Sequence, residues 1–346
     1  MANLKNTTID DSGFFDLPSG TTSQRPSNPE SGMQRFNTDL GVIELYNGND
    51  WVPTSFSPID ASGGDSTEEI TINGIVYKIH AFTSTGSNTF TVNSVGTVDT
   101  IECLIVAGGG GGGASAGGGA GGGGGGGGGL IFKTVDVSPG SYTFSVGSGG
   151  SRGSPNVDER GNNGGNSSAF GETAIGGGGG GARGSSGLNG GSGGGSGSQI
   201  NNGGAGTSGQ GNDGGATGYG GSGGDDNRGS GGGGAGDAGG GGSDNNRGGD
   251  GGAGLSFVNK FGTNYGENGD FAGGGGGGIA NNDSQRRKGY GPSGGGDGSA
   301  VNGTAADNGI ANTGGGGGGQ AGRASGSAPG NGGSGIVLIR YPISYG

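Results

Sequence analysis

Five runs of six or more glycines, at 108–113, 121–129, 176–181, 273–278 and 314–319, constrain this chain more than any other feature, and four of the five have the same length. Glycine loses more backbone freedom on folding than any other residue and offers no side chain to a core. A flexible tether accounts for the composition, but it has no use for a fixed count of six. A helix of the polyproline II type does. Six residues then make two turns, about 19 Å at ~3.1 Å per residue, with backbone N–H and C=O groups directed outward in three rows. Such a helix has no internal hydrogen bonds and is disordered alone. Packed side by side, helices without Cβ atoms approach closely enough to bond backbone to backbone, at ~0.5–1.5 kcal/mol net per bond. The runs are therefore expected to form a lattice of polyglycine II helices, stable only as an array.

The first two runs lie inside IECLIVAGGGGGGASAGGGAGGGGGGGGGLIF, between apolar segments that read as strands. Anchoring both ends of a glycine segment in β-structure lowers its closure cost. The fold class expected is mainly β with a polyglycine II lattice and little or no α-helix. In ITINGIVYKIHAF, Asn73-Gly74 between β-branched runs predicts a two-residue hairpin. NTFTV alternates as a strand with one wet face, whereas Cys103 to Ala107 and GIVLIRYPI near the C-terminus are apolar on both faces. Strands of that second kind should be central, with other β-structure on one side and the glycine region over the other. LIFKTVDV, the turn SPG and SYTFSVG read as a hairpin. Three parts follow: a β-hairpin module over 1–60, a β-scaffold from 66–147 plus 335–346, and the lattice from 107–129 and 148–334.

Glycine makes up 108 of the 346 residues, yet stretches such as GDGSAVNGTAADNGIANT break any Gly-X-Y period and only 10 prolines occur, which excludes collagen. The formal charge of −12, with 16 scattered basic residues, argues against nucleic acid and anionic lipid as partners. No apolar stretch has the length of a signal peptide or a membrane span, so synthesis in a cytoplasm without membrane insertion is expected. Cys103 is the single cysteine and sits in the apolar run CLIVA, which predicts a buried thiol.

Catalytic motifs are sparse. His80, the single histidine, falls in a strand, and any Ser/His/Asp arrangement would have to pass through it. Carboxylate pairs such as Glu68-Glu69 and Asp225-Asp226 suit a glycosidase only if the fold brings them into one groove. The Asp-rich turns GGSDNNRGGDGG and GDDNRG lack the nine-residue period of calcium-binding repeats. No enzyme activity, cofactor or metal is expected. Binding has better support, because turns held by a rigid frame combine aromatic and hydrogen-bonding side chains. The segments at 219–228 and 281–290 supply Tyr219, Asp225, Asp226, Arg228, Asn282, Arg286, Arg287 and Tyr290 as candidate receptor contacts. A tyrosine face with Asn, Asp and Arg at its edge suits a sugar ring. The segment FVNKFGTNYGENGDF is equally rich, although Phe257, Phe261 and Phe271 also suit a plug at the lattice edge.

LPSGTTSQRPSNPESGMQRFNTDLGVIELYNGNDWVP, about Leu17 to Pro53, resembles a short module of structural and tail-fibre proteins in marine and cyanobacterial phages. The rest, from TFTV through the glycine runs to GNGGSGIVLIRY, is similar to glycine-rich domains of phage fibres and, more loosely, to tip adhesins of T-even-like phages. Those adhesins are separate proteins mounted on a fibre, whereas this chain carries its own N-terminal module. The resemblance implies a virion fibre protein, a homotrimer organised mainly by residues 1–60, which also contact other virion tail proteins. Its further partner would be a host surface glycan or protein. A purely structural fibre or capsid-decoration protein and a polysaccharide depolymerase remain open. An ice-binding or cell-wall structural protein would leave the N-terminal module unexplained.

Overall fold

The computed structural model describes residues 16–116, 119–200, 202–216, 227–242, 247–279, 287–300, 304–322 and 327–345. The first unit is a small sheet in the order β1 (Ser19–Gly20), β2 (Gln34–Asn37), β3 (Val42–Tyr46), β4 (Trp51–Pro53). Its covered face is charged. Glu44 is fully buried and accepts from Arg25 Nη2 at 2.6 Å, Asn37 Nδ2 at 3.0 Å and Arg35 Nη1 at 3.3 Å, an arrangement that satisfies a carboxylate removed from water. The opposite face carries Phe36 directly across from Ile43, both exposed.

Two five-stranded antiparallel sheets then form a sandwich. Its remaining strands are β5 (Asp60–Gly63), β6 (Ser66–Ile72), β7 (Ile75–Phe82), β8 (Gly86–Ser94), β9 (Thr100–Val106), β10 (Leu130–Asp136), β11 (Gly140–Val146), β12 (Ser167–Ala169) and β13 (Glu172–Ala174). Two further strands, β14 (Leu255–Ser256) and β15 (Asp270–Phe271), pair with each other and flank the one-turn helix α1 (Val258–Phe261). The last strand, β16 (Ile336–Tyr345), lies in the middle of the first sheet, whose order is β10-β9-β16-β7-β6; the second is β13-β12-β11-β8-β5. Asn73 and Gly74 take φ of 52° and 80°, closing the β6–β7 hairpin in two residues.

The two-sided apolar strands divide their side chains as a period of two requires. Ile101, Cys103 and Ile105 of β9, with Val337, Ile339 and Tyr341 of β16, meet Phe90 and Phe144 of the other sheet. Leu104, Val106, Ile336 and Leu338 face the opposite way. The glycine region covers them, as expected, but mainly through an insertion of its own: Phe261, Phe271 and Ala272, supported by Phe257 and Tyr265, pack on that outer face, with Gly314 beside Val106. A helix without side chains has nothing to fill the hollows of an apolar sheet, so the aromatic insertion at 255–272 does so. Lys260 and Arg340 both ion-pair with Glu102, pinning the insertion to the sheet.

One expectation is corrected. LIFKTVDV and SYTFSVG are not a hairpin: β10 pairs with β9, and β11 pairs with β8 in the other sheet. The SPG turn marks a reversal, but the buried Val137 carries the chain across the sandwich. The true partner of β10 is reached through glycine. Leu130 sits opposite Val106 although residues 107–129 intervene, so the connection of this antiparallel pair consists mainly of two glycine helices.

The glycine helices pack with a period of three. Gly108, Gly109 and Gly110 donate to Gly165, Gly333 and Gly126, and Gly111, Gly112 and Gly113 repeat the cycle to Asn162, Gly330 and Gly123, all at 2.8–3.0 Å. The carbonyls of Gly108, Gly109 and Gly110 accept from Gly177, Gly150 and Gly317, so this one helix has six hydrogen-bonded neighbours. None of its glycines has a positive φ, as the polyproline II conformation requires. The spacing depends on the missing Cβ. One built on Gly110 would lie 2.2 Å from the Gly178 carbonyl oxygen. The fold is thus mainly β with a polyglycine II array, and its described helix is one α-helical turn and one 3-10 turn (Thr22–Gln24).

Candidate binding surfaces

The lattice has two unlike ends because successive helices run up and down. Residues 107–114 leave β9, and 121–129 return to β10; 147–153 leave β11, and 327–335 return to β16. The reversals beside the sandwich are short or plugged. They include 207–210, 235–237, 292–294, 311–313 and the aromatic insertion at 255–272. At the far end the described residues are held together by bridges Gly121–Ala321 and Arg228–Ile279 and by Ser198 N donating to Gly121 at 2.9 Å. Buried Gln320 ties this end together: its Oε1 accepts from Ser115 N at 3.1 Å and its Nε2 donates to the Ser327 carbonyl at 2.9 Å. Arg183 pairs with Asp158 at 2.8 Å, joining two neighbouring far-end turns.

Against this frame the candidates separate. Tyr219, Asp225, Asp226, Asn282 and Arg286 lie outside the described residues. The described chain on either side of those segments, at 216 and 227 and at 279 and 287, belongs to the far end. Arg228 is buried and packs beside Gly242, where a Cβ would meet its side chain at 3.0 Å. Arg287 is exposed and bridges in parallel to Arg247. Tyr290 stands three residues further in, on the flank of the lattice rather than in a turn. Half of it is exposed, the Arg247 guanidinium lies 5.4 Å from its ring centroid, and its N–H donates to Asp250 Oδ1 at 2.8 Å. Asp250 also ion-pairs with Arg247 at 2.7 Å. Arg247 and Asp250 escape sequence inspection because they adjoin Tyr290 only through the register of two helices about 40 residues apart, which no local pattern encodes.

The other chemical candidates have structural surroundings. His80 Nδ1 lies 2.7 Å from the Gly63 carbonyl and Nε2 lies 2.9 Å from the Tyr341 hydroxyl, so both ring nitrogens are engaged inside the sandwich. Burial pushes its pKa down. Glu68 and Glu69 are successive residues of β6 and leave opposite faces of the sheet, which prevents them from acting as one pair. Cys103 is buried, and desolvation drives its thiol far above the ordinary range. Among the described residues no cluster of His, Cys, Asp and Glu gathers around a common point.

No curated protein matches this chain. Residues 83–342 match the family of the glycine-rich domain. That span runs from just before β8, through every glycine helix, into β16, and the chain belongs to the glycine-rich domain family.

Proposed function

We propose that this protein is a non-enzymatic fibre protein of a phage virion whose glycine-rich domain contacts the host cell surface. The observation that carries the proposal is the asymmetry of the lattice. The described reversals next to the sandwich are short or filled by packed aromatics, whereas the described helices on either side of the sequence-diverse segments 217–226 and 280–286 break off at the far end. A rigid array that sets varied chain at one end suits recognition of an outside surface. The N-terminal module would join the virion and assemble three chains. In support, the exposed Phe36–Ile43 pair gives it an apolar face that one copy leaves uncovered. Light scattering of the full chain should then report a trimer.

Adsorption of labelled, full-length protein to a panel of bacterial strains tests the proposal. Saturable binding to particular strains is expected, with its strain selectivity lost when 217–226 and 280–286 are replaced by Gly/Ser of equal length while melting is unchanged. Unchanged strain selectivity after this replacement would overturn the role of those segments. Absence of binding to every strain would favour a purely structural fibre.

A further inference from the structure

The flank around Tyr290 holds a groove of about 440 Å³, within the roughly 300–1,000 Å³ typical of small-ligand sites. It lies between two sandwich-side reversals, 235–237 and 292–294, and away from the far-end turns. Asp237, Asp250, Tyr290 and Pro292 stand around a floor made by Gly251 and Gly252. The floor's N–H groups are already spent: Gly251 donates to the Tyr290 carbonyl at 2.8 Å and Gly252 to Gly232 at 2.9 Å. The floor therefore offers flat CH₂ surface without free donors. Arg247 offsets the charge of Asp250, and the Tyr290 N–H donates to its carboxylate. Asp237 is exposed, and no described side chain bonds to its carboxylate.

We infer that this groove binds a neutral pyranose ring of a surface polysaccharide. The C–H face of the sugar would lie on the tyrosine ring and glycine floor, and Asp237 would accept hydrogen bonds from adjacent hydroxyls. One uncompensated carboxylate, on a chain of net charge −12, disfavours uronic and sialic acids. The inference deepens the surface-binding proposal by naming a ligand class, but it does not depend on the far-end segments. Tyr290 hydrogen-bonds to the lattice through its backbone N–H and carbonyl, and its half-exposed ring adds the Arg247 contact, so truncating the side chain leaves those backbone bonds in place.

Saturation-transfer NMR on the full chain, with the methyl glycosides of glucose, galactose and mannose against glucuronate, provides the test. At least one neutral hexoside should receive saturation, and glucuronate should not. Tyr290→Phe should keep the signal, Tyr290→Ala should lose at least about tenfold in affinity, and Asp237→Asn should admit glucuronate, all with wild-type melting. Absence of transfer to every neutral hexoside, an unchanged signal in Tyr290→Ala, or preference for glucuronate would overturn the inference. Cell adsorption by wild-type protein that receives no hexoside signal overturns the groove alone. Hexoside binding without cell adsorption supports the groove and overturns the surface-binding proposal.

Discussion

Gly178 shows most plainly what a single residue does here. Its N–H donates to Ser192 and its carbonyl accepts from Gly126, each at 2.8 Å, and a Cβ would sit 1.9 Å from the Leu188 carbonyl oxygen. Even alanine must push two helices apart. Gly178→Ala should therefore cost more than the ~1–3 kcal/mol of ordinary overpacking, because several inter-helix bonds lengthen together. Gly184, at φ +69° with nothing within 4 Å of a built Cβ, provides the comparison. Gly184→Ala should cost only the ~1–2 kcal/mol of a left-handed residue. Equal urea midpoints for the two variants would contradict the close packing. Glu44 makes a different residue-scale prediction. Burial raises its pKa, but hydrogen bonds from Arg25 and Asn37 and the charges of Arg25 and Arg35 outweigh that and hold it below the ordinary value. Its contribution is thus fully present above the unfolded pKa of about 4.3 and is lost as pH falls through the lower folded value. Trp51 fluorescence should report acid loosening of the N-terminal module in that window, and Glu44→Gln should flatten this pH dependence.

At the scale of elements, β16 decides whether the sandwich exists. It pairs with β9 on one side and β7 on the other, and it supplies Val337, Ile339 and Tyr341 to one core and Ile336 and Leu338 to the other. Truncation at Gly335 should abolish cooperative melting and the β-sheet circular dichroism of the scaffold; an unchanged melt would show that β16 merely docks. Its central place was legible in the sequence, since GIVLIRYPI is apolar on both faces and such a strand needs cover on both. Asn73-Gly74 likewise announced its turn. Other features were not legible, for physical reasons. SPG encodes a reversal but not the sheet to which the next strand belongs. The aromatic plug at 255–272 was visible as composition, yet which surface it seals depends on Lys260 and Arg340 meeting at Glu102, residues far apart in the chain. The Tyr290 groove was least legible, because glycine helices carry no side-chain pattern from which register could be read.

The whole molecule is a sandwich that frames a lattice. Both ends of each outward excursion are tied, directly or through neighbouring helices, to the strands from which the array starts, so the glycine region is an insertion into the β-scaffold and not a tail. Tethering lowers the entropy cost of ordering each glycine, and the six-neighbour bonding of the inner helices then makes the array cooperative. Such order is what would let far-end segments and the flank groove hold fixed positions relative to the N-terminal module. Amide hydrogen exchange along 108–113 and 121–129 tests this most directly. The lattice predicts protection in both glycine runs approaching that of β9 and β16, with all of them lost in one transition as denaturant rises. Exchange of the same amides at unstructured-chain rates, beside a protected β9, would show that the glycines are a flexible spacer and contradict the lattice.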